Sequence, residues 1–177
     1  MNDRGWTWLR KETVLAIHDA QIAEHGGLPG MRDMALVESA LARPRNLAAY
    51  GDPDAAALAA AYGYGPARNH GFADGNKRTA FVVALVFLLA NGWEFTASDV
   101  ESVEMIVALA AGQLEEEALA DWFRKNMKAG DDPKKDGLAQ TVCPSFEVTR
   151  PRCFIEGCPG GPGRASDKED VSWSMIA

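Results

Sequence analysis

Cysteine is scarce in this chain and badly placed for structural use. There are three, at positions 143, 153 and 158, so no disulfide can staple anything before them. They also lack a paired C-x-x-C spacing and a nearby histidine, so a zinc site is not expected. Long apolar runs are missing too. The longest, Ala80 to Ala90, falls far short of the roughly 20 residues a membrane-spanning helix needs, so it reads as a buried core helix and no membrane partner is expected. Positive charge is not in excess: the formal net charge is −7, and the chain is acidic on both sides of residue 128. A general nucleic-acid binder shows a basic face, so direct nucleic-acid binding is not expected either. The stretch "MNDRGWTWLRKE" carries charges where a signal peptide has its apolar centre. These absences together lead to the expectation of a reduced, cytoplasmic protein.

What is present divides near residue 128. The 177 residues are 47% hydrophobic and 24% charged, ordinary values for a globular domain with a real core. Residues 129–177 differ, holding five of the nine prolines, six glycines and few apolar clusters. Such a stretch cannot easily bury enough surface to offset chain entropy, so it is expected to be a disordered tail.

Residues 1–128 read as one helix after another. "ETVLAIHDAQIAEHGG" places Val14, Ile17, Ile22 and Ala16/Ala20 near one face and stops at Gly26-Gly27. Asp33 can cap "MALVESALARP", which Pro44 is expected to end. Asp52-Pro53 opens the next helix as a capping residue and a first-turn proline. Residues 76–91 are apolar nearly all round, as in a helix surrounded by others, and Gly92 closes them. Ser98 to Glu101 forms a capping box for 99–111. The last helix spaces Asp121 and Lys125 for an i,i+4 pair. About six helices and no convincing run of alternation predict an all-α domain.

The chemistry gathers in "NHGFADGNKRTAFVV", residues 69–83. A helix begins near Asn76, so backbone N–H groups around residues 74 to 78 lack intrahelical partners. A helix N-terminus is a ready anion site, and Lys77 and Arg78 add two cations there. Both oppose the helix dipole, so stability alone gives no reason for them. A phosphate suits the position. Asp74 is placed to bind Mg²⁺, which takes one or two carboxylates plus phosphate oxygens; alternatively Asp74 or Asn76 simply caps the helix. His70 in the loop can accept a proton from a hydroxyl. Base, metal ligand and phosphate cradle are the parts of phosphoryl or nucleotidyl transfer. A P-loop is excluded, because the glycines are too close and Arg78 separates Lys77 from Thr79. No G-x-S-x-G marks a serine nucleophile. His18 and His25 read as structural or solvated.

"HGFADGNKRTA" resembles the signature of the Fic/Doc family, H-x-F-x-[D/E]-G-N-[G/K]-R. The stretches "HGGLPGMRDMALVESALARP" (25–44) and "LAAAYGYGPARNH" (58–70) are similar to segments of its Doc branch, the death-on-curing toxins of addiction modules. The resemblance covers residues 10 to 125 and not the tail. It implies a helical bundle with the motif in a loop before a buried central helix. In that bundle His70 is the catalytic base, Asp74 holds Mg²⁺ and Phe72 anchors the loop. Gly75 and Asn76 shape an anion hole, while Lys77 and Arg78 contact the phosphates of ATP.

Two positions separate the chemistries within that family. The AMP-transferring branch has a glycine after the asparagine and a second arginine three residues beyond the first; here Lys77 and Phe81 stand there. What is implied is a type II toxin that moves the γ-phosphate of ATP to a threonine of elongation factor Tu and arrests translation. The alternatives are AMP transfer and a catalytically silent scaffold for antitoxin or nucleotide. Gly71 replaces a usual proline, and Gly63, Gly65 and Pro66 weaken the preceding helix, so a loosened loop and a kink are expected. Self-inhibited relatives carry [S/T]-x-x-x-E-[G/N], yet no Ser or Thr here has a Glu four residues later. Inhibition by a separate, Phd-like antitoxin acting in trans is therefore implied. Trp6, Trp8 and Tyr50 are candidates for lining its groove, or for core and edge packing.

Overall fold

A computed structural model describes residues 5–130, and the expectation of a disordered tail, with its three cysteines, falls almost wholly outside them. Six helices run in order: α1 (Lys11–His25), α2 (Met34–Tyr50), α3 (Ala55–Asn69), α4 (Asn76–Ala90), α5 (Asp99–Ala110) and α6 (Glu116–Lys125). Two short strands, β1 (Trp93–Phe95) and β2 (Met127–Ala129), pair antiparallel with Trp93 opposite Ala129. Strands of three residues are too short to show alternation, which is why the sequence pattern missed them. The all-α expectation holds otherwise.

The pair α3–α4 forms the centre, with α1, α2, α5 and α6 around it. Leu58 and Tyr62 of α3 and Val83, Phe87 and Leu88 of α4 are completely shielded from solvent. The alanine-rich start of α3 is short in side chain, so neighbouring backbones come close. The approach is tightest at Gly65, where an added Cβ would lie 3.1 Å from both the Cα and the carbonyl oxygen of Ala40 on α2. Among the described residues no helix is long and apolar enough to cross a membrane.

Several expectations are corrected. Pro44 does not end α2 but lies inside it, and α3 likewise runs on through Pro66; both prolines are buried. A mid-helix proline removes one N–H and costs about 3 kcal/mol, but burial of the ring in a packed core offsets the loss. Asp54 rather than Asp52 caps α3, its carboxylate accepting from the Ala57 amide at 2.8 Å. Asp121 pairs with Arg124 at i,i+3, not with Lys125, because Arg124 also reaches Asp54 and is held between the two. On α1 the buried stripe is Val14, Ile17, His18 and Gln21, with Ala16 exposed. The Asp33 cap and the Ser98–Glu101 capping box are both formed. Trp6 and Trp8 pack half-buried on Phe87, at 6.1 and 6.2 Å between ring centroids, whereas Tyr50 is 91% exposed.

Candidate active site

The site is the turn between α3 and α4. His70 ends α3 in the left-handed region (φ 51°, ψ 44°) and is exposed. It is the one non-glycine residue with positive φ among those described. Histidine tolerates that conformation better than most side chains. The turn so made points the chain back toward α4 and leaves the imidazole facing solvent.

Residues 71–76 are then fixed largely by backbone contacts. Asn76 is buried and clamps the loop from within: its Oδ1 accepts from the Phe72 amide at 2.9 Å and its Nδ2 donates to the Phe72 carbonyl at 3.0 Å. Phe72, expected to anchor the loop, is 2% exposed and belongs to the core. The stretch between α1 and α2 braces the outside. Arg32 and Asp33 amides both donate to the Gly71 carbonyl, at 2.9 and 3.0 Å, and the Ala73 amide donates to Gly30 at 3.1 Å. Gly71 is therefore not a loosening. An added Cβ there would lie 2.6 Å from Val37 Cγ2, so glycine lets the loop sit directly on α2.

Neither Asp74 nor Asn76 caps α4. The cap position falls to Gly75 (φ 70°, ψ 9°), which offers no side chain. The first-turn amides of α4 are thus left without a side-chain partner, the arrangement that attracts an anion. Asp74 Oδ1 instead accepts from the Gly75 amide at 2.6 Å, and Oδ2 from the Leu28 amide at 3.3 Å. The Gly75 amide chiefly, then the Leu28 amide and the charge of Arg78, hold this carboxyl below its ordinary pKa against partial desolvation. It is a carboxylate at neutral pH.

Arg78 is the unusual member. It is only 5% exposed, yet among the described residues its guanidinium makes a single hydrogen bond, Nη2 donating to the Gly26 carbonyl at 2.9 Å. Its Nε is buried with no hydrogen-bond partner, and among the described residues it forms no ion pair within 4 Å. A buried cation without a counter-ion is costly unless something anionic completes it. Lys77 is half-buried and lines a small apolar cavity with Gly63, Phe81 and Trp122. Phe81 is core, edge-on to Phe95 at 5.9 Å.

The donor set fits one Mg²⁺ shared with phosphate oxygens better than an all-protein cage. Asp74 supplies one carboxylate, and no group of three metal-ligating side chains exists among the described residues. The wall behind Asp74 was not anticipated. His18 and Ile22 of α1, with Gly26, Gly27 and Leu28, press on the loop, and Gly27 (φ 126°) has no room for a Cβ, which would fall 2.7 Å from Asp74 Oδ2. The i, i+3, i+4, i+7 spacing of Val14, Ile17, His18 and Gln21 was the available signal for a buried His18.

Comparison with known proteins agrees with this geometry. The Fic/DOC family profile matches residues 8–88. The chain is 38% identical over 115 residues to "Protein kinase doc" of Escherichia phage P1, covering 64% of this chain and 90% of that protein. It is 40% identical over 101 residues to "Toxin Doc" of Mycolicibacterium smegmatis, covering 55% of this chain and 75% of that one. With a loop clamped by Asn76, an uncapped α4 and two relatives of this kind, the chain belongs to the Fic/DOC family, on its Doc branch.

Proposed function

We propose that this chain is the toxin of a toxin–antitoxin module and an ATP-dependent protein kinase. It would transfer the γ-phosphate of ATP to a threonine hydroxyl of elongation factor Tu. The observation that carries the reading is Arg78: a guanidinium 5% exposed, with no carboxylate in ion-pair range among the described residues, at the uncapped N-terminus of α4. A phosphate group satisfies both at once. The names of the phage and mycobacterial relatives support the kinase and toxin parts of the reading.

His70, exposed at the end of α3, takes the proton from the attacking hydroxyl and so raises its nucleophilicity. Asp74, kept ionised by the Gly75 amide, would hold Mg²⁺, which when bound with ATP neutralises phosphate charge. Arg78 and the α4 amides hold the phosphates in place and stabilise charge that builds as the phosphoryl group moves. Lys77, beside them, adds a second cation. Phe81 is packed in the core and cannot serve a phosphate, which disfavours AMP transfer. Restraint of the toxin is assigned to a Phd-like antitoxin in trans.

The test follows the label. With Mg²⁺ and elongation factor Tu, label is expected to pass from γ-labelled ATP and not from α-labelled ATP. Transfer is expected to vanish in His70→Ala and Asp74→Ala, and activity surviving both changes would sink the assignment. Label from the α position would make the protein an AMP transferase. No transfer from either, with no growth arrest on expression, would make it a silent scaffold.

A further inference from the structure

His18 lies outside the signature, on α1, yet it touches the motif loop at two points. Its ring is stacked on Phe72 with centroids 4.0 Å apart and planes 9° from parallel. Its Nε2 lies 3.1 Å from the backbone carbonyl oxygen of Asp74. That oxygen can only accept, so Nε2 carries the hydrogen and donates it. The residue is 2% exposed, as deeply buried as Phe72. The Cβ of a residue at position 75 would sit 3.8 Å from His18 Cδ2, so the ring also backs the left-handed turn that opens α4.

We propose that His18 is a positioning residue for Asp74 and the α4 N-terminus. The proposal rests on the kinase reading for its catalytic consequence, but not for its structural one. Asp74 has its carboxylate on one side and its carbonyl on the other. The amides of Gly75 and Leu28 hold the first, and among side chains His18 alone is seen to hold the second. Fixing both ends of a residue sets the direction of its carboxylate, which hydrogen bonds from one side cannot do. The stack on Phe72 fixes the ring that does the holding. A non-reacting histidine on another helix thereby aims the metal-binding oxygen atoms of the signature loop.

The stack and the hydrogen bond can be separated. His18→Phe keeps an aromatic ring against Phe72 and removes the donor. His18→Gln loses the stack but places an amide N–H near the position of Nε2. The full-length chain is used throughout, with far-UV circular dichroism to confirm that each variant is helical. The first readout is amide hydrogen exchange at Gly75, whose N–H is held by the Asp74 carboxylate. Exchange there is expected to quicken about tenfold in His18→Phe, as for the loss of one buried hydrogen bond, and to stay within about threefold of wild type in His18→Gln. The second readout is γ-phosphate transfer, where His18→Phe is expected to lower kcat about tenfold or more with little change in the KM for ATP, while His18→Gln recovers most of it. Wild-type exchange at Gly75 in His18→Phe would overturn the proposal, and so would a His18→Gln protein that fails as fully as His18→Phe. If the wild type transfers no label, the kinase reading fails and the exchange result alone judges the positioning role.

Discussion

Gly71→Ala is the most informative single methyl group that can be added to this protein. Gly71 is buried and its backbone lies outside the positive-φ region, so alanine meets no conformational barrier of its own. In the unfolded chain alanine would even help, by about 0.4–1 kcal/mol, because it has fewer conformations to lose. The folded state decides otherwise. The new Cβ would stand 2.6 Å from Val37 Cγ2 and 3.0 Å from the Val37 amide nitrogen, against an ordinary contact of about 3.5–4 Å. Valine in a helix has one strongly preferred rotamer and cannot swing away cheaply, and the amide belongs to α2 itself. Overpacking of this kind costs about 1–3 kcal/mol, which leaves a net loss of roughly 1–2 kcal/mol. For a folded unit of this size the thermal midpoint should fall by about 4–8 °C. A double-mutant cycle locates the cause. Val37→Ala removes the clashing methyl, so it should harm the Gly71→Ala protein less than the wild type, with a coupling of about 1 kcal/mol. The four proteins are compared by thermal unfolding followed at the helical circular-dichroism band. A Gly71→Ala protein that melts at or above the wild-type temperature, or four midpoints that simply add, would refute the claim that the loop is pressed onto α2.

The Asp54 carboxyl sits below its ordinary pKa, first through the Arg124 side chain and then through the Ala57 amide. Its stabilising contribution is present above the unfolded value and is lost as pH falls through the lower folded one. Thermal midpoints measured downward from pH 5 should therefore decline more gently in Asp54→Asn than in wild type. Arg78→Met exchanges a buried, half-satisfied guanidinium for an apolar chain of similar length, so the melting temperature should hold or rise slightly while γ-phosphate transfer is lost. A large loss of stability would show that the guanidinium is structural. Ser98→Ala removes the hydroxyl half of the α5 capping box and leaves the backbone N–H of residue 98 donating to Glu101; it should cost about 1 kcal/mol by chemical denaturation, without affecting transfer.

Much of this was legible beforehand, and the parts that were not share a cause. α4 could be read because it is apolar all round, and its start because glycine and asparagine interrupt the pattern there. The candidate loop was legible because His70, Asp74 and Arg78 lie close together in sequence. Pro44 misled because its local penalty is visible in a sequence while the burial that offsets it is not. Asp54 was passed over for Asp52 because Asp-Pro is a strong local signal, and only the position of Arg124, on α6, favours the later aspartate. The link of His18, Gly27 and Leu28 to Asp74 was hidden for the same reason, since it spans some fifty positions of chain.

The pairing of β1 with β2 fixes where the described unit can be joined to other things. Gly130 is tied to Gly92 at the far end of α4, and Thr7 is tied to Asn91 beside it, so both ends of the unit gather at one pole. The turn that carries His70 and Asp74 lies at the opposite pole, about 22 Å away along the 15 residues of α4. Affinity tags, fluorescent proteins or surface-immobilisation handles joined directly at either end of this unit would therefore start on the side away from that turn, leaving the candidate site uncovered.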